Sequence, residues 1–327
     1  MTEKTVQDRL LEELFSQLGK HEGALPASWS RMSLLKRCPR QWDMRYRKKL
    51  KESALPAASI TDLTRVRAGT AIHWVLEKTV RGAADLCRDP SQIYDHFFSH
   101  AYASEEDERV RDRLESLRMP AKQVMKRVVG FAGTGTKFHT EKKLRISRKG
   151  RPLSGGSWSD TGWTGVVDLE IERPRSLLIL DYKSESYSEE KERSTRLQTG
   201  MYAYAEMLRL PGLLEVNTGC AYLMSNDIRL DTPFRREDFQ ELQKQILTLY
   251  SEYLDLLESG TTEAKPSEYC KYCCFAKDCP ALVEMTDGTK SDKKVEAGEE
   301  PQTRRCEAAV AEGNSAGVVN ASPAHKS

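Results

Sequence analysis

The sequence predicts an α/β fold in which a mixed central sheet is flanked by helices. Apolar residues recur at helical spacing through most of the first 135 residues, and β-rich runs follow between residues 137 and 182. From there to residue 258, helical and strand patterns alternate, which is typical of a sheet covered by helices. With 327 residues, the chain is long enough for one large domain or two small ones.

The first part of the chain is predicted to be mostly helical. Residues 2–19 carry apolar side chains at helical spacing, and a break containing Gly and Pro follows at residues 23–27. Short helices are expected on both sides of Pro39. A longer helix is predicted over residues 61–80, and further helical pattern covers residues 92–131.

The central part is predicted to hold a three-stranded meander. Residues 137–147 have the pattern of a strand, and a Gly/Ser-rich loop follows at residues 150–162. Two further β-rich runs, at residues 163–171 and 177–182, are separated by the turn signal Arg-Pro-Arg at residues 173–175. We expect these two runs to pair as an antiparallel hairpin.

The last part of the chain is predicted to complete the fold and then to lose order. A helix, a strand and a second helix are expected over residues 193–210, 218–225 and 236–258. Beyond residue 285 the sequence contains no Leu, Ile, Phe, Trp, Tyr or Met. Because such a segment cannot offset its ordering entropy by burial, we expect a disordered tail at residues 286–327.

Composition and charge exclude several classes of protein. The 51 Lys and Arg residues nearly balance the 49 Asp and Glu residues, so any attraction to a polyanion must come from local clusters. A mean hydropathy of −0.62 argues against a membrane protein. The N-terminus lacks the apolar core of a signal peptide, which predicts an intracellular protein that is not secreted, cytoplasmic if prokaryotic or phage-encoded. Eight cysteines in such a chain indicate metal or cluster ligands, or buried thiols, rather than disulfides.

The predicted hairpin brings acidic residues together. A turn at its predicted position places Asp168 opposite Asp181, with β-carbons about 5 Å apart. Lys183 then falls on the same face as Asp181, because side chains alternate along a strand. Opposed carboxylates repel unless a cation lies between them, and Mg²⁺ or Mn²⁺ is the natural partner for such oxygens. An ion pair between Lys and Asp on an exposed sheet face is the other interpretation.

Four short motifs follow one another along the chain. They are His73 in AGTAIHWVLE, Gly-x-x-Asp at residues 165–168, Asp-x-Lys at residues 181–183 and Gln-x-x-x-Tyr at residues 198–202. Each motif alone is weak, whereas four in this order and in their predicted secondary structures are specific. Together they resemble the RecB-like branch of the PD-(D/E)XK nuclease superfamily. The resemblance covers residues 28–280 and implies a restriction-endonuclease-like fold.

This resemblance implies a metal-dependent nuclease and gives each motif residue a role. The implied metal ligands are His73, Asp168, Asp181 and the backbone carbonyl of Tyr182. Lys183 would help to orient the attacking water, while Gln198 and Tyr202 would orient Lys183 and the DNA strand. The implied catalytic residues are therefore Asp168, Asp181, Lys183, Gln198 and Tyr202.

Two glutamates also lie near these motifs in the sequence. Glu141 is in the first predicted strand, where related enzymes often carry a glutamate, and is interpreted as an auxiliary site residue. Glu77 follows His73 by one helical turn and is either a second acidic neighbour or a surface residue. Without the resemblance, a single His on an amphipathic helix is more often a packing residue than a ligand.

A cysteine-rich segment, SEYCKYCCFAKDCP, lies near the end of the predicted folded part. Cys270, Cys273 and Cys279 have the spacing C-x2-C-x5-C, and Cys38 lies far upstream; a proline follows both Cys38 and Cys279. A C-x2-C pair alone indicates zinc as readily as an iron–sulfur cluster. Cys274 offers a C-x3-C-x4-C alternative in place of Cys273.

The arrangement of these cysteines is similar to that of AddB subunits and CRISPR-associated adaptation exonucleases, which are RecB-like nucleases with a 4Fe–4S cluster. The resemblance implies a 4Fe–4S cluster bound by Cys38, Cys270, Cys273 and Cys279, with zinc as the competing interpretation. One ligand from the N-terminal part and three from the C-terminal segment would close the domain around the sheet.

Two basic segments lie on either side of the first motif in the sequence. Residues 31–51 contain nine Lys or Arg against one acid, and residues 137–151 contain seven against one. Such segments attract phosphates, although a run of charge is more often a solvated face. The aromatic residues Trp29, Trp42 and Tyr46 are interleaved with the first segment and are candidates for stacking on unpaired bases, although Trp42 is also a candidate core residue.

Together with the motifs, the resemblance implies a Mg²⁺- or Mn²⁺-dependent deoxyribonuclease, an exonuclease on single-stranded DNA or DNA ends, with the 4Fe–4S cluster as a structural staple. Its expected partners are DNA and a helicase, integrase or other recombination protein. The alternative is a non-catalytic DNA-binding scaffold subunit of a recombination, repair or CRISPR adaptation complex. The predicted divisions are an N-terminal helix and linker (1–27), a helical part with Cys38 and His73 (28–135), the nuclease core with the cluster segment (136–285) and the tail (286–327).

Overall fold

A six-stranded mixed sheet lies between two layers of helices in the computed structural model of this protein. Its strands are β1 (Lys137–Ser147), β2 (Thr161–Glu172), β3 (Ser176–Lys183), β4 (Glu215–Tyr222), β5 (Asp227–Leu230) and β6 (Phe234–Arg235). The order is β1-β2-β3-β4-β5, and β6 also pairs with β4. β3 and β4 are parallel, whereas the other pairs are antiparallel. The fold class predicted from the sequence is therefore confirmed.

The structure describes residues 5–21, 26–51, 60–86, 89–131, 135–155, 158–267, 270, 273–279 and 281. The predicted tail at residues 286–327 and most of the predicted break at residues 23–27 lie outside these described residues. Within them, no helix is both long enough and apolar enough to cross a membrane.

Eight helices build the two layers around the sheet in the described part of the chain. They are α1 (Val6–His21), α2 (Trp29–Arg37), α3 (Pro39–Trp42), α4 (Ile60–Leu86), α5 (Pro90–Ser104), α6 (Glu108–Gly130), α7 (Glu189–Arg209) and α8 (Phe239–Glu258). Side-chain caps begin four of them, because Thr5, Ser28, Asp89 and Asp107 accept hydrogen bonds from backbone N–H groups of the first turn. A single π-helical turn at Asp43–Arg47 follows α3.

Each face of the sheet has its own hydrophobic core. Helices α1, α2, α7 and α8 pack on one face around Trp163 and Ile179. Helices α4, α5 and α6 pack on the other face around Leu169 and Leu180. The alternating apolar residues of β3 supply both cores, which explains why this strand reads as a continuous hydrophobic run in the sequence.

Partway along β1 and β2, the side chains that pointed to one core of the sheet begin to point to the other. In β2, Val167 belongs to the core beneath α7, but Leu169, two positions later, belongs to the core beneath α4. Residues two apart on a regular strand share a face, so the strand is twisted between these two positions. The twist occurs where Glu141 of β1 stands opposite Asp168, and Glu141 has a positive φ of 50°.

The observed elements follow the sequence prediction except at one edge of the sheet. The strand predicted at residues 218–225 runs instead from Glu215 to Tyr222. The sequence analysis did not predict β5 and β6, which are four and two residues long and have no fully buried residue. Strands of this length do not show enough alternation to be recognised from sequence.

Candidate active site

The hairpin of β2 and β3 opens at the end away from its turn. Backbone pairing follows the predicted register as far as Leu169 and Leu180 and stops one pair before Asp168 and Asp181. In the gap, a carboxylate oxygen of Asp168 accepts a hydrogen bond from the backbone N–H of Tyr182 at 2.7 Å. This bond replaces the missing strand pairing and fixes the carboxylate at the gap.

Helix α4 brings His73 to the same gap. The Nδ1 atom of His73 lies 3.6 Å from Oδ2 of Asp168. Burial favours neutral imidazole, but the hydrogen bond and charge of Asp168 outweigh it, so the pKa of His73 is raised overall. The His73 ring also meets the Tyr182 ring edge-on, with centroids 5.7 Å apart. The predicted histidine and the first predicted aspartate therefore lie together.

The second predicted aspartate forms a close pair with the predicted lysine. Nζ of Lys183 lies 2.6 Å from Oδ2 of Asp181, whose residue is only 6% exposed. Burial raises the pKa of Asp181, and the charge of Asp168 adds to this effect while Lys183 opposes it. Burial alone would lower the pKa of Lys183, but its contact with Asp181 raises that pKa overall. The ammonium group is thus held in its charged form.

Helix α7 holds Asp181 from the opposite layer. Nε2 of Gln198 donates hydrogen bonds to Oδ1 of Asp181 at 3.2 Å and to the hydroxyl of Tyr202 at 2.7 Å. The sequence analysis expected these two residues to orient Lys183, whereas the observed contact is with Asp181. His73 of α4 contacts Asp168, whereas Gln198 of α7 contacts Asp181. The two carboxylates therefore have partners in opposite helical layers, although the sequence analysis placed them on one face of the sheet.

Gly165 of the Gly-x-x-Asp motif makes room for Tyr202. A Cβ atom at this position would lie 2.6 Å from Cε1 of Tyr202 and 2.7 Å from the Trp163 ring. Such distances are shorter than van der Waals contact, so a larger residue would displace the tyrosine. The glycine is therefore needed for packing beneath the site.

Glu141, which the sequence analysis treated only as an auxiliary residue, lies on β1 near enough to the site for the charges there to act on it. Burial raises its pKa, and the charges of Asp168 and Glu77 raise it further. Its left-handed backbone conformation is uncommon for a residue other than glycine and is found preferentially at functional sites. The sequence gives no sign of this conformation, because glutamate has no preference for it.

A second group of potential cation ligands lies farther along β1 and β2. Its ligand atoms are within 4.8 Å of one another and belong to His139, Glu170 and Glu172. Lys142 forms an ion pair with Glu170 and another with Glu206 at 3.0 Å, while Arg209 also pairs with Glu206. Burial and the charge of Glu206 raise the pKa of Glu170 to about 7. Lys142 and Arg209 therefore offset part of the negative charge of the buried Glu170 and Glu206 carboxylates.

The four cysteines predicted to bind a cluster line one cavity. Its lining includes Cys38 from the junction of α2 and α3, together with Cys270, Cys273 and Cys279. Burial raises the pKa of Cys273, and the neighbouring thiols of Cys274, Cys38 and Cys270 raise it further. The Sγ atom of Cys274, in contrast, accepts a hydrogen bond from Nη2 of Arg45 at 3.7 Å. The fold therefore gathers the distant thiols that the sequence analysis grouped together.

The aromatic residues interleaved with the first basic segment are packed into the fold, although cations such as Arg37 and Lys48 of that segment are exposed. Trp42 is 2% exposed and belongs to the core, so it is not available for stacking on bases. Trp29 and Tyr46 pack against the same core, and the Arg31 guanidinium covers the Tyr46 ring at 5.2 Å. In the second segment, Lys142 is directed into the buried ion pairs with Glu170 and Glu206. The aromatic residues of the first segment therefore stabilise the fold.

Comparison with known proteins identifies the family. A search of curated proteins finds no match to this chain. A sequence model of the PD-(D/E)XK nuclease superfamily matches residues 26–280, which include all four motifs and the cavity cysteines. This superfamily comprises nucleases that use divalent metal ions and act on DNA. Because the match covers more than half of the chain and the fold agrees with it, the chain belongs to the PD-(D/E)XK nuclease superfamily.

Proposed function

We propose that this protein is a Mg²⁺- or Mn²⁺-dependent deoxyribonuclease that acts as an exonuclease on single-stranded DNA or DNA ends. The observation that carries the proposal is the convergence of His73, Asp168 and Asp181 at the gap between β2 and β3, beside Lys183. The exonuclease activity and the RecB-like branch are supported by the order of the motifs and by the cysteine spacing.

The donor set at the gap suits a hard divalent cation. His73, Asp168, Asp181 and the backbone carbonyl of Tyr182 would hold the ion, with Glu141 close to them. Mutual repulsion raises the pKa values of Asp181 and Glu141, in addition to the effect of burial. A cation at this position would relieve the repulsion, because carboxylate oxygens are the ligands that Mg²⁺ and Mn²⁺ prefer.

The residues of the chain then divide the work of phosphodiester hydrolysis. When bound, the metal ion supplies Lewis-acid activation of water and charge stabilisation at the phosphate. The contact with Asp181 raises the pKa of Lys183, which favours an ammonium group that serves as a positive charge and hydrogen-bond donor. Gln198 fixes the orientation of the Asp181 carboxylate, and Tyr202 fixes Gln198. Packing of α7 thereby sets the geometry of the metal ligands.

The cavity lined by four cysteines supports a 4Fe–4S cluster as a structural cofactor. A single zinc ion about 2.3 Å from each sulfur needs thiols that nearly touch one another. Among the described residues, no three of these thiols have all their Sγ atoms within 4.8 Å of one another. The wider spacing suits a multi-iron cluster better than one zinc ion. Cys273 lines the cavity, which favours it over Cys274 as a ligand.

The experiment that tests this proposal compares the wild-type protein with Asp181→Asn after anaerobic purification. End-labelled linear and circular single-stranded DNA are incubated with Mn²⁺, Mg²⁺ or EDTA. We expect the wild type to degrade linear DNA with either metal ion. Because Asp181→Asn removes a charged ligand but preserves the shape of the side chain, its rate should fall at least about 100-fold.

A matched control is Asp231→Asn, since Asp231 is a half-buried aspartate that, like Asp181, has a cationic partner, here Arg196 at 3.5 Å. This variant should retain cleavage. Degradation of circular DNA, which has no ends, would show that the activity is endonucleolytic rather than exonucleolytic. A folded wild-type protein that binds DNA but does not cleave it with either metal would contradict the proposal and favour a non-catalytic scaffold subunit.

A further inference from the structure

A half-buried arginine of α6, Arg113, lies beside the candidate active site and is bound to a neutral group. Its Nη2 atom donates a hydrogen bond to the backbone carbonyl of Ser184 at 3.2 Å. Within the described residues, no carboxylate forms an ion pair with Arg113, whereas Arg109, one helical turn earlier, pairs with Asp107 at 3.0 Å. Cations with reduced access to water are usually paired in folded proteins. The carbonyl satisfies one donor of Arg113 but leaves its charge available to an anion.

Ser184 connects Arg113 to the active site. It directly follows Lys183, the last residue of β3. The carbonyl of Lys183 accepts a hydrogen bond from the backbone N–H of Leu223 at 2.8 Å, so the end of β3 is held from both sides. Helix α4 also approaches Ser184 closely, since a Cβ atom at Gly69 would lie 2.9 Å from the Ser184 hydroxyl oxygen. Arg113 therefore contacts a fixed segment one residue from Lys183.

One side of α4 leads from the surface to the gap between β2 and β3. Arg65, Gly69 and His73 follow one another at intervals of four residues, so they lie along the same side of the helix. Gly69 approaches Ser184 and His73 approaches Asp168, which shows that this side faces the site. Arg65 is exposed and lies about 12 Å from His73 along the helix axis. A second cation therefore stands on the outer side of Ser184.

The two arginines add their charges at this edge of the site. Burial lowers the pKa of Arg113, and the charge of Arg65 lowers it further, while the charge of Glu185 opposes this effect. Two cations thus face one acidic neighbour. Such an arrangement attracts an anion, and the anion that the proposed reaction brings to this edge is a phosphodiester group.

We propose that Arg113 binds the phosphate next to the scissile phosphate of the DNA strand, with Arg65 adding positive charge on the outer side. This inference rests on the proposed nuclease function and deepens it, because it names a substrate-binding residue outside the four motifs. A guanidinium group has five N–H donors in a planar fork. Arg113 can therefore hold the Ser184 carbonyl with one donor and phosphate oxygens with others. The end of β3 would then fix the distance between Lys183 and the bound phosphate.

The test is the variant Arg113→Gln, which removes the charge but keeps a hydrogen-bond donor. Cleavage of an end-labelled single-stranded oligonucleotide is measured with Mn²⁺, and its Kd is measured in EDTA at several salt concentrations. We expect KM to rise about 10-fold with kcat nearly unchanged, because a phosphate that does not react contributes equally to binding of substrate and transition state. The slope of log Kd against log salt should become shallower by about 0.7, the value for one lost phosphate contact.

Two matched variants separate phosphate binding from a structural role. If Arg113 only holds the carbonyl of Ser184, Arg113→Gln should lower kcat and Tm and leave the salt slope unchanged. Arg113→Lys keeps the charge and should restore most of the salt dependence. Arg127→Gln changes another arginine of α6 that donates to a backbone carbonyl, that of Asn226 at 3.0 Å, and should leave KM and the salt slope unchanged.

A change in the DNA tests the same contact from the other side. A neutral methylphosphonate is placed, one position at a time, at each phosphate next to the scissile one. At one position it should lower kcat/KM of the wild type about 10-fold but that of Arg113→Gln less than about 2-fold, because both changes remove the same contact. Wild-type KM and salt slope in Arg113→Gln, or full multiplication of the two effects, would overturn the inference while leaving the nuclease intact. A wild-type protein that neither binds nor cleaves DNA would instead overturn the proposed function together with this inference.

Discussion

At Glu141 the backbone of β1 has a left-handed conformation, with φ of 50°, although the flanking residues continue the strand. For residues with a Cβ atom this conformation costs roughly 1–2 kcal/mol. A strand that required only stability would carry glycine or avoid the conformation. The presence of glutamate despite this cost indicates that its carboxylate has a function, because strained backbone conformations cluster at functional sites.

This strain predicts opposite effects on stability and activity. The free energy of unfolding of Glu141→Gly should exceed that of Glu141→Ala by about 1 kcal/mol. Urea denaturation measures this difference as a higher midpoint for the glycine variant. Both variants should lose cleavage activity, because both lack the carboxylate. Equal stability of the two variants would show that the left-handed conformation is not maintained in solution.

A second residue-scale prediction concerns Glu170, whose pKa is raised from 4.5 to about 7. The folded protein binds this proton more tightly than the unfolded chain, so the free energy of unfolding should fall as pH rises from about 4.5 through about 7. The loss is on the order of 3 kcal/mol. Glu170→Gln cannot titrate, and its urea denaturation in EDTA at several pH values should show a flatter dependence than the wild type. An unchanged slope would mean that other groups cause the pH dependence.

At the scale of single elements, the hairpin was predictable and its distortion was not. The turn at residues 173–175 and the two apolar runs determine the register, which is observed as far as Leu169 and Leu180. The exchange of faces at Asp168 has no signal in the sequence, because it depends on the twist of β1 at Glu141. Alternation therefore placed both aspartates on one face, whereas the structure divides their contacts between α4 and α7.

The packing of α7 on β2 gives a prediction for Gly165. Gly165→Ala should displace Tyr202, since the new Cβ atom would meet that ring and Trp163 within 2.7 Å. We expect a loss of about 1–3 kcal/mol in the free energy of unfolding and a lower cleavage rate, because Tyr202 holds Gln198. Gly212→Ala is a suitable control, since a Cβ atom there meets nothing within 4 Å. Full activity of Gly165→Ala would show that the position of Tyr202 is not important.

The basic segments show where charge counting fails at this scale. Nine cationic residues in residues 31–51 suggested a DNA-binding surface with aromatic platforms. In the fold, two of these cationic groups cover aromatic rings: Arg31 lies above Tyr46 at 5.2 Å and Arg47 above Trp42 at 5.5 Å. The sequence shows that aromatic and basic residues are interleaved. Only the packing shows whether a face of each aromatic ring is exposed and able to stack on a base.

At the scale of the whole molecule, the grouping of Cys38 with the C-terminal cysteines came from resemblance rather than from any local pattern. No spacing rule connects a cysteine before α3 with a segment that follows α8. Their position around one cavity depends on how the first and last parts of the fold pack together. The motif order fixed the ligand candidates, whereas the tertiary fold alone brings them within reach of one another.

This arrangement predicts that Cys279→Ser loses the cluster and unfolds at lower temperature. Absorbance near about 400 nm after anaerobic purification reports the cluster, and thermal unfolding reports the stability. Cys274→Ser should keep the absorbance, because Cys274 contacts Arg45 rather than the cavity. If Cys274→Ser lost the absorbance and Cys273→Ser retained it, Cys274 rather than Cys273 would be the cluster ligand.

The position of the cysteine cavity also bears on the order of events during protein synthesis. Cys38 is made early, but its three partners follow the last helix, so the ribosome completes the entire sheet before the ligand set exists. The strands that carry Asp168 and Asp181 are therefore available for folding before the proposed cluster can bind. If the proposed cluster is bound, iron and sulfur would reach a chain whose sheet has already been synthesised, and a shortage of iron would leave Cys38 without its link to the C-terminal cysteines.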